Sequence, residues 1–311
     1  VTQTLPPREA TVDSHARRRR RPMDFRVLAL LPLASLLLLL VLFPLIELFR
    51  LALSTVQLEA GGLRQTYTGM DNLRTALGDQ VFGVALRNTL IFVGLTTLAQ
   101  ILLGTALAVF VQRAGRIRRL AQSLLLWPIV VAPVVVSVVW WLILNSRIGA
   151  LNAALDAVGL PEQGWLSSTL SLFAVMVVDV WHWTPVVFLI VFAAVQGADP
   201  ELREAALVDG ANERQVFRYI TLPQILPAIG AAALIRAIGG VKTFDEVFIL
   251  TGGGPGISSE IVSTFVHRLY SDQLEVGYAS MVSVFTILIV VVFAVGIWAL
   301  RRFFQAIGGA A

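Results

Sequence analysis

Cysteine is missing from the 311 residues, and histidine occurs only at His15, His182 and His267. Disulfides, thiolate metal ligands and a cysteine nucleophile are therefore excluded, and three imidazoles far apart in the chain indicate no metal cluster. Charge is scarce too. Asp, Glu, Lys and Arg make up 14% of the chain, and apolar residues 57%. Soluble domains carry roughly 25% and 45–50%. That balance excludes an ordinary soluble domain. A formal net charge of +4 with so few ionisable groups gives no reason to expect nucleic acid, since the basic residues cluster beside long apolar runs. The loops show no catalytic triad and no paired-carboxylate acid/base site, and there is no internal repeat. The glycine-rich stretch Gly252–Gly254 has no Gly-Lys-Ser/Thr after it, which excludes a phosphate loop.

The first long apolar run, Val27 to Leu48, follows Arg17–Arg21 and Arg26. A signal-peptide core is about 7–15 residues, whereas this run has 22 and no small-residue cleavage site after it. At 1.5 Å per residue it reaches roughly 33 Å, enough to cross a bilayer core, so it is expected to be a retained helix. Five more apolar segments follow at Asn88–Val111, Ala121–Leu144, Leu170–Val195, Ile225–Leu250 and Gly277–Leu300. Lipid offers the backbone no partners, so each is predicted to be a helix. Pro128, Pro133 and Pro185 are expected to kink their spans.

Six crossings divide the connecting segments into two sides. One side carries sixteen Lys and Arg: seven before residue 27, then Arg113, Arg116, Arg118, Arg119, Arg203, Arg214, Arg218, Arg301 and Arg302. The other carries Arg50, Arg64, Arg74, Arg147, Lys242 and Arg268. The positive-inside rule places both termini in the cytoplasm. The expected division is a disordered basic tail over 1–26, a first span over 27–48, an external segment over 49–87, a five-span core over 88–304 and a cytoplasmic tail over 305–311. Within the core, 197–227 is a cytoplasmic loop. Arg17–Arg21 reads as a topology anchor beside anionic lipid, with a specific macromolecular contact as the alternative.

The loop 197–227 reads as two short helices. Asp199 is expected to be the N-cap, Pro200 suits the first helical position and Glu201 the first turn. Gly210 stands where a left-handed cap residue is expected. A second short helix is expected over 212–220, after which Leu222-Pro223 redirects the chain. On these grounds alone the loop could be a surface hairpin linking two spans. The residue order adds more: Glu204-Ala205-Ala206, three residues, Gly210, nine residues, then Ile220, Leu222 and Pro223. This is similar to the EAA motif of ABC-importer permeases, which lies in the cytoplasmic loop before the penultimate span. The resemblance implies that the loop docks on a separate ATP-hydrolysing subunit, with Glu204, Ala205, Ala206, Gly210, Ile220, Leu222 and Pro223 forming the coupling element.

A second stretch, Phe244-Asp245 through Leu250-Thr251-Gly252-Gly253-Gly254-Pro255, resembles a motif of carbohydrate-importer permeases, of the type that includes the larger maltose permease and the first glycerol-phosphate permease. By itself the stretch is a flexible turn; the resemblance adds a place near a docking solute-binding protein. Asp179 and Arg236 both fall near mid-membrane, where ionisable groups are costly, so they either pair or line one water-filled cavity. Trp181 and Trp183 could offer aromatic faces to a solute, with Asn88 or His182 donating hydrogen bonds; interfacial or packing roles are the alternative. Phe244 and Asp245 complete the candidate pathway.

The expected fold is all-α, integral to the membrane, with six transmembrane helices in the type I ABC-importer permease fold. The resemblance implies a non-catalytic subunit of an importer for a sugar or related small polar solute, in the bacterial cell membrane. It also implies a second, homologous permease chain, two nucleotide-binding ATPase subunits, an extracytoplasmic solute-binding protein and membrane lipid as partners. No cofactor is expected in this chain, ATP and Mg belonging to the ATPase, and no nucleic acid. The competing readings are the same architecture with a phosphate ester, polyol or peptide as cargo, and a secondary transporter, which would need no EAA loop.

Overall fold

A computed structural model describes residues 25–59, 62–113 and 115–308. The basic tail expected over 1–26 lies almost wholly outside the described residues, as does the end of the tail over 305–311. Helix α1, Phe25–Ala52, is apolar around its circumference and keeps Pro32 and Pro44 within it. Ser35 Oγ donates to the Pro32 carbonyl at 2.9 Å.

The segment after α1 folds into an antiparallel hairpin, β1 (Ser54–Glu59) and β2 (Gly62–Tyr67), with Ser54 opposite Tyr67. These are the only strands among the described residues, and the expectation of a plain external segment did not include them. The base of the hairpin is pinned: Asn72 Nδ2, on α2 (Asp71–Gly78), donates to the Ala52 and Ser54 carbonyls, each at 2.9 Å. A Cβ on Gly277 would lie 2.0 Å from the Ser54 carbonyl, so only glycine lets the last helix approach so closely.

Helix α3, Gln80–Gln112, starts earlier than hydropathy suggests because Asp79 caps it, accepting from Val81 N (2.7 Å) and Phe82 N (3.3 Å). The second Asp79 oxygen accepts from the Tyr278 hydroxyl at 2.7 Å. Helices α4 (Arg118–Val130) and α5 (Pro133–Leu144) meet at 96°, so the third span is broken rather than kinked. Pro133 disfavours α geometry in the residue before it, and Val131 and Ala132 are both extended. After α6 (Ala150–Ala157) comes α7, Ser171–Gln196, which runs unbroken through Pro185.

Two further expectations are corrected. Leu222-Pro223 does not redirect the chain. After α8 (Pro200–Val208) and α9 (Glu213–Val216), a π-turn over Phe217–Thr221 leads directly into α10 (Leu222–Val241). The Leu222 N–H bonds five residues back, to Phe217 O, because Pro223 and Pro227 cannot donate to a regular ladder. The fifth span does not reach Leu250: α10 stops at Val241, and Asp245–Leu250 form a separate helix, α11. Helices α12 (Val262–His267) and α13 (Val276–Gly308) complete the described residues. Among the described residues five helices are long and apolar enough to cross a membrane, and the bent pair α4–α5 brings the number to six.

Two apolar clusters form the interior. One gathers Phe82, Phe92, Val178, Val247, Phe265 and Val282; the other gathers Val111, Val187, Phe188, Val191, Ile225 and Ala232. Both span α3 and α7, which cross closely at Gly104: a Cβ there would lie 2.7 Å from Val187 Cγ1.

Candidate functional site

Three groups of residues stand out, and the fold holds each in a different way. The first is α8. Asp199 caps it by accepting from Glu201 N at 2.9 Å, Pro200 is its first residue, and Gly210 follows it at φ +88°. None of the nine residues of α8 is buried. Glu204 and Ala205 are exposed and Ala206 half-buried; Ile220 and Leu222 are half-buried and Pro223 exposed. Helix α8 thus presents charge, the small side chain of Ala205 and the apolar side chains of Leu202 and Val208 on its surface.

The second group is a buried polar network among the spans. Gln100 Nε2 donates to Asp179 Oδ2 at 2.7 Å and to the Asp179 carbonyl at 3.1 Å, while Gln100 Oε1 accepts from Arg236 Nε at 2.8 Å. Arg236 and Asp179 form an ion pair at 3.4 Å. The Arg236 guanidinium sits 4.8 Å from the Trp183 ring centre, a cation–π distance. Trp183 Nε1 donates to Glu246 Oε1 at 3.2 Å, and His182 Nδ1 meets the same oxygen at 3.2 Å. The other His182 nitrogen lies 3.2 Å from the Val131 carbonyl at the α4–α5 break. A helix end leaves carbonyls without partners, and the imidazole sits beside one of them. The network therefore joins α3, α7, α10 and α11 to the break. Gln100 and Glu246, neither of them anticipated, are its connectors.

The third group is the glycine-rich loop. It is tied down at many points. Asn88 Nδ2 donates to the Ser258 carbonyl (3.2 Å) and the Glu260 carbonyl (3.0 Å), and Val262 N donates to Thr89 Oγ1 at 2.9 Å. Ser259 Oγ bridges Thr251 Oγ1 and the Gly254 carbonyl, each at 2.8 Å. Glu260 is fully buried and paired with Arg268. Gly253, at φ +84°, makes room for it, since a Cβ there would lie 2.5 Å from Glu260 Oε2. Both amide hydrogens of Asn88 are committed to this loop, leaving none to donate to a solute.

The remaining anticipated residues separate. Trp181 meets Trp140 edge to face at 5.6 Å and lines a cavity of about 580 Å³ between α3, α4 and α7, with Leu95, Thr96, Met176, Thr184 and Phe188. Phe244 stacks on Phe248 at 4.9 Å and meets the edge of His267 at 5.1 Å. Asp245 opens α11, half-buried. Among the described residues no group of His, Asp and Glu is placed to hold a metal ion.

Comparison with known proteins gives a consistent picture. The family profile described as "Binding-protein-dependent transport system inner membrane component" matches residues 100–308. The "Probable ABC transporter permease protein y4oQ" of Sinorhizobium fredii is 34% identical over 303 residues, covering 97% of both chains. The "Trehalose/maltose transport system permease protein MalF" of Thermococcus litoralis is 28% identical, covering 89% of this chain and 93% of its own. Among solved structures, a chain of a bacterial ABC transporter involved in the import of the acidic polysaccharide alginate superposes with a TM-score of 0.78 at 23% identity, covering 90% of this chain and 96% of that one. That fold, the broken and unbroken spans and the family match lead to one conclusion: this chain belongs to the binding-protein-dependent inner membrane components, as the non-catalytic, multi-pass permease subunit of an ABC importer for a small polar solute.

Proposed function

We propose that the chain serves a carbohydrate importer and that α8 is the element its ATPase grips. The observation that carries the coupling role is the state of α8: a capped helix with no buried residue, bearing Glu204, Ala205 and Ala206, followed by a left-handed Gly210 and continued through a π-turn into a membrane helix. A helix with no fully buried residue leaves most of its surface open to another chain. The thin side at Ala205 and Ala206 lets a groove close around it, while Ile220, Leu222 and Pro223 carry the connection into α10. The division into a core over 88–304 with a cytoplasmic loop over 197–227 follows, with both termini on the loop's side. The sugar reading rests on the Phe244–Pro255 motif and on relatives named for trehalose/maltose and sulfoquinovosyl glycerol transport.

On this reading a solute-binding protein delivers cargo to the opposite face, where the loop over 251–260 forms a fixed rim. A second, homologous permease chain completes the pathway, and Trp181 is its aromatic contribution from this chain. ATP binding draws two ATPase subunits together, α8 moves with them, and the spans exchange outward for inward access. The buried network of Asp179, His182, Trp183, Arg236 and Glu246 holds the spans in register during that exchange.

The test uses the assembled importer. Glu204→Arg is expected to leave membrane insertion and chain assembly intact but to abolish hydrolysis stimulated by the loaded binding protein. Val208→Cys, on a residue 88% exposed in a chain without cysteine, reports the side of the membrane. Normal transport by the Glu204 variant, or labelling of the Val208→Cys thiol from outside intact cells, would remove the coupling role.

A further inference from the structure

We infer that Glu213 is a positioning residue that locks α8 to the end of α3, so that movement imposed on the exposed loop reaches the second membrane helix. The inference rests on the reading of α8 as the gripped element. Its own basis is the geometry of one carboxylate. Glu213 Oε1 accepts from Arg203 Nη2, on α8, at 2.5 Å. Glu213 Oε2 accepts from Arg113 Nη2 at 2.9 Å, and Arg113 is the C-cap of α3. Each oxygen therefore serves a different element, and the glutamate stands between them as a two-sided clasp.

The way α8 is otherwise held makes the clasp informative. It buries no residue. The Asp199 N–H donates to Gln224 Oε1 at 3.1 Å, and the Ala211 N–H to the Ala206 carbonyl at 2.9 Å. The first of these leads to α10 and the second stays local. The polar tie to α3 runs through Glu213. Helix α3 then reaches inward without a break: thirteen residues before Arg113 lies Gln100, hydrogen-bonded to Asp179 and Arg236. At 1.5 Å per residue, that is roughly 20 Å of stiff helix between the clasp and the buried network.

Stability does not account for the arrangement. The three side chains are about half exposed, at 52%, 45% and 45%, and exposed ion pairs add little to folding. Removing the clasp should therefore leave the fold in place and change only what moves with what. Glu213 also opens α9, where a carboxylate favours the helix dipole. A test has to separate that local role from the bridge. Glu213→Asp does so, because it keeps the charge in the first turn but is one methylene too short to hold both arginines.

The experiment uses the complete importer and needs no knowledge of the cargo. Nitroxides at Val208→Cys on α8 and Phe110→Cys on α3 report the distance between the two elements by pulsed electron resonance, with and without trapping by ATP and vanadate. Both sites are exposed, at 88% and 71%. The parent should keep one distance in both states. Glu213→Gln and Glu213→Asp should each hydrolyse ATP at the parent's basal rate, yet show a distance that shifts or splits on trapping. The charge-inverted triple Arg113→Glu, Arg203→Glu, Glu213→Arg should restore the single distance. A parent distance that changes on trapping overturns the inference, as does a fixed distance in Glu213→Gln, a Glu213→Asp protein identical to the parent, or a triple variant that fails to restore. The reading of α8 itself fails separately, if Glu204→Arg retains stimulated hydrolysis.

Discussion

Two arginine–carboxylate groups in this chain share the same chemistry and differ in surroundings. Asp179 and Arg236 lie among the spans, at 0% and 5% side-chain exposure, and are closed in by Gln100 and Trp183. Arg113, Glu213 and Arg203 sit on the surface near α8. In the buried group each member satisfies a neighbour that has no water to fall back on, so loss of one strands the other. In the exposed group water replaces whatever is lost. Burial thus turns one set of charges into structure and leaves the other available to control motion.

The largest expected effect sharpens that contrast. Asp179→Ala or Arg236→Ala should cost about 3–5 kcal/mol, the usual result of leaving one buried charge unpaired. Arg113→Ala should cost only about 0–1 kcal/mol. Thermal unfolding of the assembled importer in detergent gives both values, and the exchange Asp179→Arg with Arg236→Asp should recover part of the first. Equal losses at the two sites would break the comparison. The loop over 251–260 is an intermediate case, since Glu260 is fully buried but Arg268 is 30% exposed. Gly253→Ala forces a side chain into a left-handed position and against the Glu260 carboxylate, at about 1–3 kcal/mol. Faster amide exchange across Ile257–Glu260, with α3 unaffected, is the expected signature.

The smallest effect concerns pH. Burial pushes the Glu260 carboxyl above its ordinary value of 4.5, against the opposing pulls of Thr264 and Arg268. The folded loop therefore holds this proton more tightly than the unfolded chain does. Stability from this source is complete below 4.5 and is lost as pH rises through the raised value. Amide exchange in the loop, corrected for its intrinsic pH dependence, should be slower in acid, and Glu260→Gln should remove the difference.

Much of the fold was legible because lipid makes simple demands. Long apolar runs gave the spans, and Asp199, Pro200 and Gly210 gave the limits of α8. The proline rule was less decisive. Pro133 breaks its span while Pro185 leaves α7 continuous, and sequence position does not distinguish them. The hairpin Ser54–Tyr67 carries no apolar run, and what fixes its base is an asparagine beyond it, at Asn72. The buried network was half visible. Asp179 and Arg236 stand out as charges in apolar segments, but Gln100 is neutral, and its partner lies 79 residues away. Asn88 shows the opposite ambiguity: a polar residue in a span invites a solute role, and here its amide donors serve the carbonyls of a loop 170 residues on.

Gly104 has a mechanical consequence. With no side chain there, the backbones of α3 and α7 approach until Val187 fills the gap, and Gln100, one turn earlier, fastens the same two helices through Asp179. Ridges seated this deeply cannot slide past one another without lifting apart. Sliding of α3 along α7 would therefore have to undo both the packing at Gly104 and the bonds Gln100 makes to Asp179.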